Sequence, residues 1–353
     1  MVWSLPWVQL GGFKINLQRQ SQRLLLLEAP LTALLSLPPL RLRHLALAVP
    51  LRFVASASDV DTLARNAVPE ARLIATAHEL VIAVAEQPLQ VNLIGRPRGR
   101  LAVIGLGPGA AELMVPAVKA ELARATDVLG YETYVRMAGP FREDQVQHCT
   151  DNREEMQRAR HAFELAAQGR SVIVVSSGDP GVFAMAAAVL EALHESSEPS
   201  WHRVELEILP GVSASLATAA QAGAPLGHDF CVMSLSDNLK PWSIIEKRLD
   251  LAAEADLALA FYNPISRSRP WQLGRALEIV ARHRSAATPV VLGRDIGRPG
   301  QTLRTTTLGA LTPDQVDMRT MVLIGSSTTC VFPRAEGGNW VYTPRWYGEK
   351  PVS

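Results

Sequence analysis

From Leu101 onward the chain repeats one pattern: a short apolar run, a loop rich in Gly, Pro or Ser, then a stretch with helical spacing. LAVIG (101–105), DVLGY (127–131), SVIVVSS (171–177) and VELEIL (204–209) are short apolar runs that read as buried strands. Pro116 opens a helix in its first turn, with Val118, Leu122 and Ala125 on one face. Asp151 and Glu154 have capping-box spacing; Met156, Ala159, Phe163 and Ala167 form the stripe that follows, and Gly169 ends it. A small-residue helix is expected around Ala184–Leu193. This alternation predicts a parallel sheet covered by helices. A second set begins after Pro210-Gly211, with a helix over Ser213–Ala222. Its strands are DFCVMSL, LALAFY, PVVLG and TMVLIG, and its helices include Trp242–Leu251 and Trp271–Arg282. The fold class is therefore α/β, with two successive domains over 98–210 and 211–347. Ligands of such sheets sit in the crevice at the strand ends or between the domains.

Residues 1–97 form an N-terminal extension without a chemical motif. LALAVPLRFVA (45–55) and LVIAVA (80–85) read as strands, and Gly95-Arg-Pro-Arg-Gly-Arg100 reads as a linker. The apolar run Leu24–Leu40 is broken by Glu28, Pro30, Pro38 and Pro39, so it is not a membrane helix. It also lies behind several charges, unlike a signal peptide. A net charge of +1 offers no basic field for nucleic acid. Cys149, Cys231 and Cys330 are widely spaced, and the histidines show no ligand spacing. No disulfide framework or metal site is expected, and a reducing cytoplasm is the default.

Five loops carry the chemistry. Gly105-Leu-Gly-Pro-Gly-Ala110 follows a strand and fits the G-x-G-x-x-A dinucleotide fingerprint, with Asp127 or Glu132 as the acidic partner. Pro108 argues against that NAD-dependent dehydrogenase reading, because it has no N–H for a pyrophosphate. Ser176-Ser-Gly-Asp-Pro-Gly181, Pro210-Gly-Val-Ser-Ala214, Phe261-Tyr-Asn-Pro264 and Gly293-Arg-Asp-Ile-Gly-Arg-Pro-Gly300 complete the set. Each alone is equally a turn or a helix cap, Ser213 being a good N-cap.

Together, in this order, the loops resemble the tetrapyrrole (corrin and porphyrin) methylase family. There the first loop reads G-x-G-P-G, the second G-G-D-P, and the second domain opens P-G-x-S-[SA]. The resemblance covers about 101–347. SSGDPGVFAMA (176–186), LGHDFCVMSLSDNLKPW (226–242), FYNPISRSRPWQL (261–273), GRDIGRPGQ (293–301), VLIGSSTT (322–329) and YTPRWY (342–347) resemble one branch of it. That branch methylates a corrin ring at carbon 17 and contracts the ring. Ser177 stands where the wider family has Gly, Cys330 where Arg is expected and Trp346 where Gly is expected. The first 97 residues resemble the last part of a lactone-opening cobalamin protein, which implies a remnant of a fused domain.

The resemblance implies S-adenosylmethionine as methyl donor, a corrin-ring precursor as substrate, and a homodimer. Carried over, the cofactor contacts fall on Pro108, Ser177, Gly178, Asp179, Val182, Ser213, Ala214, Asn263 and Ile296. Arg136, Arg153, Arg267, Arg269 and Arg294 are candidates for the substrate's carboxylates. Methyl transfer from a sulfonium expels a neutral leaving group, so no acid is needed there. The task is to hold methyl and carbon in line, within about 3–3.5 Å. Proton transfers during ring contraction need an acid or base, with Asp179, Asp237 and His228 open as candidates. Methylation at another corrin position is the alternative within the family. Whether the ring already holds cobalt is left open.

Overall fold

A computed structural model describes residues 98–151, 154–266 and 268–347, and before them the backbone of six short strands. These are β1 (Val8–Leu10), β2 (Phe13–Ile15), β3 (Arg52–Phe53), β4 (Arg72–Ala77), β5 (Leu80–Val84) and β6 (Arg96–Pro97). They pair antiparallel as β1 with β2, β3 with β6 and β4 with β5. The predicted strand LVIAVA corresponds to β5; of LALAVPLRFVA, all but β3 lies outside the described residues.

The chain divides into two compact units: Met1–Leu101 with Phe163–Val172 and Ser197–Glu205, and Ala102–Ala162 with Ile173–Ser196 and Leu206–Ser353. In the first, the end of the expected linker is packed chain. Arg98 Nε donates to the Arg203 carbonyl at 2.8 Å. Arg100 N–H donates to the Arg170 carbonyl and Glu205 N–H to that of Gly99. A Cβ on Gly99 would lie 1.6 Å from the Ala166 oxygen, so only glycine fits this crossing. Phe163 stacks on Trp201 with ring centroids 5.2 Å apart.

The first large sheet holds β7 (Arg100–Gly105), β8 (Asp127–Tyr131), β9 (Val146–Thr150), β10 (Ser171–Ser176) and β11 (Glu205–Leu209), in the order β11-β7-β10-β8-β9. Among them run helices α1 (Pro116–Arg124), α2 (Glu132–Ala138), α3 (Glu155–Ala167), α4 (Met185–Glu195) and α5 (Pro199–His202). Strands β7 and β10 are buried along nearly their whole length, as a sheet covered on both faces requires. Ala102, Ile104, Val118, Val128, Val135, Ile173 and Val175 share one core. Pro116 is at the helix start, as expected. Of the capping box, the Glu154 carboxylate accepts the Asp151 N–H at 3.2 Å, while the helix begins only at Glu155.

The second half adds α6 (Ala214–Ala222), β12 (Gly223–Ala224), β13 (Phe230–Ser234), α7 (Trp242–Glu254), β14 (Ala258–Tyr262), α8 (Gln272–Val280), β15 (Pro289–Arg294), β16 (Thr302–Thr307), β17 (Thr320–Ile324), β18 (Cys330–Pro333) and β19 (Asn339–Tyr342). The second large sheet has the order β13-β14-β17-β15-β16. Alternation along its strands splits the core in two. Leu259, Phe261, Val290, Val322 and Ile324 face Ile245, Leu249, Leu273 and Val280 of α7 and α8. Ala260, Val291, Met321 and Leu323 face the small residues Ala219 and Ala222 of α6.

This sheet is mixed. β13 and β14 are parallel, but β17 is antiparallel to β14 and β15, and β16 is antiparallel to β15. Among the elements from Arg100 onward, β9, β12, β16, the β18–β19 hairpin and the short helices α2 and α5 lack a matching expectation. β9 and β16 are sheet edges with sequences VQHCT and TLRTTT, so neither contains an apolar run. The hairpin joins β12 in a small third sheet.

Candidate functional site

The five motif loops leave the carboxyl ends of β7, β10, β11, β14 and β15, all within the second compact unit. Glycine brings the first three together. Gly107 and Gly178 exchange backbone hydrogen bonds at 3.1 and 2.7 Å, and Leu106 N–H donates to the Ser176 carbonyl. A Cβ on Gly211 would lie 2.2 Å from the Gly178 oxygen, and one on Gly105 would lie 2.5 Å from it. Gly178 has φ +66°, the left-handed region glycine adopts freely.

Asp179 ties this junction from the side. One carboxylate oxygen accepts the Gly181 N–H at 2.8 Å and the other the Gly211 N–H at 3.0 Å. Val182 N–H closes the turn on the Asp179 carbonyl. Ser213 caps α6, its Oγ accepting from Leu216 N–H at 3.4 Å, as its N-cap pattern predicts. A hydroxyl chain then runs Ser213–Ser215–Tyr262, with spacings of 3.0 and 3.1 Å, and carries the junction to the loop after β14. Asn263 follows with φ +51°, donating through Nδ2 to Ser234 Oγ at 2.9 Å.

The loop after β15 closes on the first two. Arg298 Nε donates to the Pro108 carbonyl at 2.9 Å and Nη2 to Ser177 Oγ at 3.0 Å. A Cβ on Gly297 would lie 3.0 Å from the Pro108 ring. Burial pushes the nearby Tyr134 hydroxyl up, and the Arg298 charge partly offsets it. Ile296 is 6% exposed, so little of it can touch a ligand.

Pro108, Ser177, Gly178, Asp179, Ser213 and Ala214 thus meet at one junction; Val182, Asn263 and Ile296 flank it. Arg298, Ser215, Tyr262 and Phe183 have roles that the motif reading did not assign. Arg298 and Pro108 are 190 positions apart, so only folding reveals their bond. Phe183 has φ +53° and an exposed ring set edge-on to Tyr262 at 5.4 Å.

The arginines expected to meet substrate carboxylates are engaged within the protein. Arg136 pairs with Glu132 at 2.6 Å, Arg269 with Asp237 at 3.1 Å, and Arg294 with Asp317 at 2.8 Å. Hydrogen bonding to Asp317 raises the pKa of Arg294. Arg153 and Arg267 lie outside the described residues. Asp237 accepts from Gln272 as well as Arg269. His228 precedes the amino end of β13, a strand length of about 13–17 Å from the loop cluster. The dinucleotide fingerprint needs a helix opening directly on its glycines. Here a 3-10 turn at Ala111–Leu113 intervenes, and α1 starts only at Pro116. Among the described residues no His, Cys, Asp and Glu group could hold a metal, and no helix is long and apolar enough to cross a membrane.

This chain is similar to known proteins. The model of the Tetrapyrrole (Corrin/Porphyrin) Methylases matches residues 100–312. A precorrin-3B C(17)-methyltransferase from Sinorhizobium sp is 50% identical over 249 residues, which cover 70% of this chain and 97% of that protein. A probable cobalt-factor III C(17)-methyltransferase from Salmonella typhimurium is 41% identical over 247 residues, covering 70% of this chain and 99% of that protein. The crystal structure of the methyltransferase CobJ matches with a TM-score of 0.65 and 52% identity, over 70% of this chain and 100% of that one.

Proposed function

We propose the function from one premise: the chain belongs to the tetrapyrrole (corrin/porphyrin) methylase family. It is a methyltransferase of cobalamin biosynthesis that methylates precorrin-3B at carbon 17, with ring contraction to precorrin-4. The observation that carries this reading is the interlocked loop junction around Gly178, in a chain that spans 97% of a C(17)-methyltransferase relative at 50% identity. The lower identity of 41% to the cobalt-factor III relative favours the cobalt-free substrate.

S-adenosylmethionine supplies the methyl group on a sulfonium when bound. Pro108, Ser177, Gly178, Asp179, Val182, Ser213, Ala214, Asn263 and Ile296 would hold it. The fit rests on backbone: a Cβ on Gly178 would lie at ordinary distances of 3.6 and 3.8 Å from Ser213 and Ala214, so two chain turns lie side by side with little side-chain bulk between them. Asp179 fixes both turns, and the hydroxyl chain fixes the start of α6. Rigid turns keep methyl and ring carbon in line, which is the main demand of a displacement with a neutral leaving group.

The same reading makes the protein a cytoplasmic homodimer. Its three cysteines are free, and the β18–β19 hairpin exposes Val331, Phe332, Trp340 and Tyr342. The methylase domains run over 98–210 and 211–347, and residues 1–97 are dispensable for the chemistry. A chain beginning at Arg98 should remain soluble and methylate at an unchanged rate; loss of either counts against that boundary.

The function is tested by incubating the full chain with S-adenosylmethionine and either precorrin-3B or cobalt-factor III, with products read by mass spectrometry. Gain of one methyl on precorrin-3B is expected. Methylation of neither, or calorimetric binding of NAD with no response to S-adenosylhomocysteine, would sink the reading.

A further inference from the structure

Arg298 differs from the arginines expected to meet substrate carboxylates. Arg136, Arg269 and Arg294 each face a carboxylate. Arg298 faces none among the described residues: its two bonds go to neutral acceptors, the Pro108 carbonyl and the Ser177 hydroxyl. A guanidinium carries five N–H donors in a fixed plane, and these bonds use two of them. Nη1 has no acceptor among the described residues, and it is not sealed away from solvent. An anion at Nη1 would supply the counter-charge that the described residues do not. Here the plane of the cation is already set by two motif loops. A carboxylate matches such a fork better than any other common anionic group of a small molecule.

We propose that Arg298 is the receptor for a peripheral carboxylate of the tetrapyrrole substrate. The inference rests on the corrin-methylase reading for the identity of that substrate. Because the same guanidinium holds Pro108 and Ser177, it sets the ring's edge in register with the loops assigned to the methyl donor. The donor also carries a carboxylate, so the test separates the two sources.

Full-length parent, Arg298→Met and Arg298→Lys are loaded with S-adenosylhomocysteine and titrated by fluorescence with uroporphyrin III and with its fully methyl-esterified form. Arg298→Met should weaken binding of the acid about ten- to hundred-fold, the loss of a charge-assisted bond. Binding of the ester should move less than about threefold, because it has no carboxylate to lose. Arg298→Lys should recover part of the loss, keeping the charge without the fork. Calorimetry should show Arg298→Met losing S-adenosylhomocysteine affinity by a clearly smaller factor than it loses the acid, a loss that comes from freeing the Pro108 and Ser177 loops. Equal weakening of acid and ester would overturn the proposal and leave Arg298 a latch between loops. A fall in S-adenosylhomocysteine affinity as large as that for the acid would overturn it in favour of the donor's carboxylate. The titrations need no turnover, so a parent that methylates no corrin precursor counts against the function and not against this receptor.

Discussion

The motif-loop junction and the amino end of β14 are built on different principles. At the carboxyl ends of β7, β10 and β11 the loops are joined largely by backbone bonds and glycine crossings, with Asp179 as a fastener and Arg298 tying in the loop after β15. At the amino end of β14, charge does the joining. Asp256 accepts from Ser327 N–H, Ser327 Oγ and Tyr347 Oη at 2.9, 2.6 and 3.0 Å, and pairs with Arg284 at 2.9 Å. Arg284, with its side chain 3% exposed, also donates to the Ala253 and Leu257 carbonyls. There a network of side chains does the welding. The loop end keeps its side chains small, which leaves backbone groups available to a ligand.

Removing the charge at the welded end should have the largest effect. Asp256→Ala leaves the buried Arg284 cation without its carboxylate, a cost of about 3–5 kcal/mol. Melting should fall by on the order of 10 °C, while turnover measured well below the melt stays near that of the parent. A melt within a degree or two of the parent would break the comparison.

Crowding the glycine junction comes next. The Cβ of Gly211→Ala would meet the Gly178 and Gly105 backbones at 2.2 and 2.7 Å, so the loops must move apart. The expected cost is about 1–3 kcal/mol. Calorimetry should show S-adenosylhomocysteine binding lost even where circular dichroism reports a folded protein. Retained binding would mean that the junction is structural only.

Asp179→Asn sharpens the contrast further. Asparagine offers one acceptor oxygen where two N–H groups now each have their own. One donor then faces an amide NH2, at a cost of roughly 1–3 kcal/mol. Melting and cofactor affinity should fall together. A weaker cofactor with an unmoved melt would show that the carboxylate faces the ligand directly rather than through the turns.

The smallest effect is on pH. Burial pushes the Asp256 carboxyl up, but the Ser327 hydroxyl and N–H, Arg284 and Tyr347 outweigh it and hold the pKa below the ordinary aspartate value. A depressed carboxylate contributes stability that is complete above the unfolded pKa of about 4 and is lost as pH falls through the folded value. Acid melts of the parent should therefore steepen below about pH 4, and Asp256→Asn should flatten that dependence. Identical acid profiles would remove Asp256 from the account.

Much of this protein is written locally. The strands β7, β8, β10, β14, β15 and β17 coincide with apolar runs, because a strand buried on both faces must be largely apolar. Pro116, Ser213 and Gly169 mark helix ends by chemistry confined to a few neighbours. The motif loops were likewise legible, as short Gly, Pro and Ser segments after strands. Edge strands were not, since β9 and β16 carry no apolar run to announce them. Strand direction was not legible either: a run such as TMVLIG is apolar whether its neighbours run with it or against it, and only the pairing of β17 between β14 and β15 decides. The same holds for the fasteners. Asp179 meets Gly211, Asp256 meets Arg284 and Ser327, and Arg298 meets Pro108 across sequence separations that no local pattern encodes. A hydrogen bond depends on where two atoms are in space, and for residues far apart in the chain that is settled when the sheets pack and bring the strand ends together.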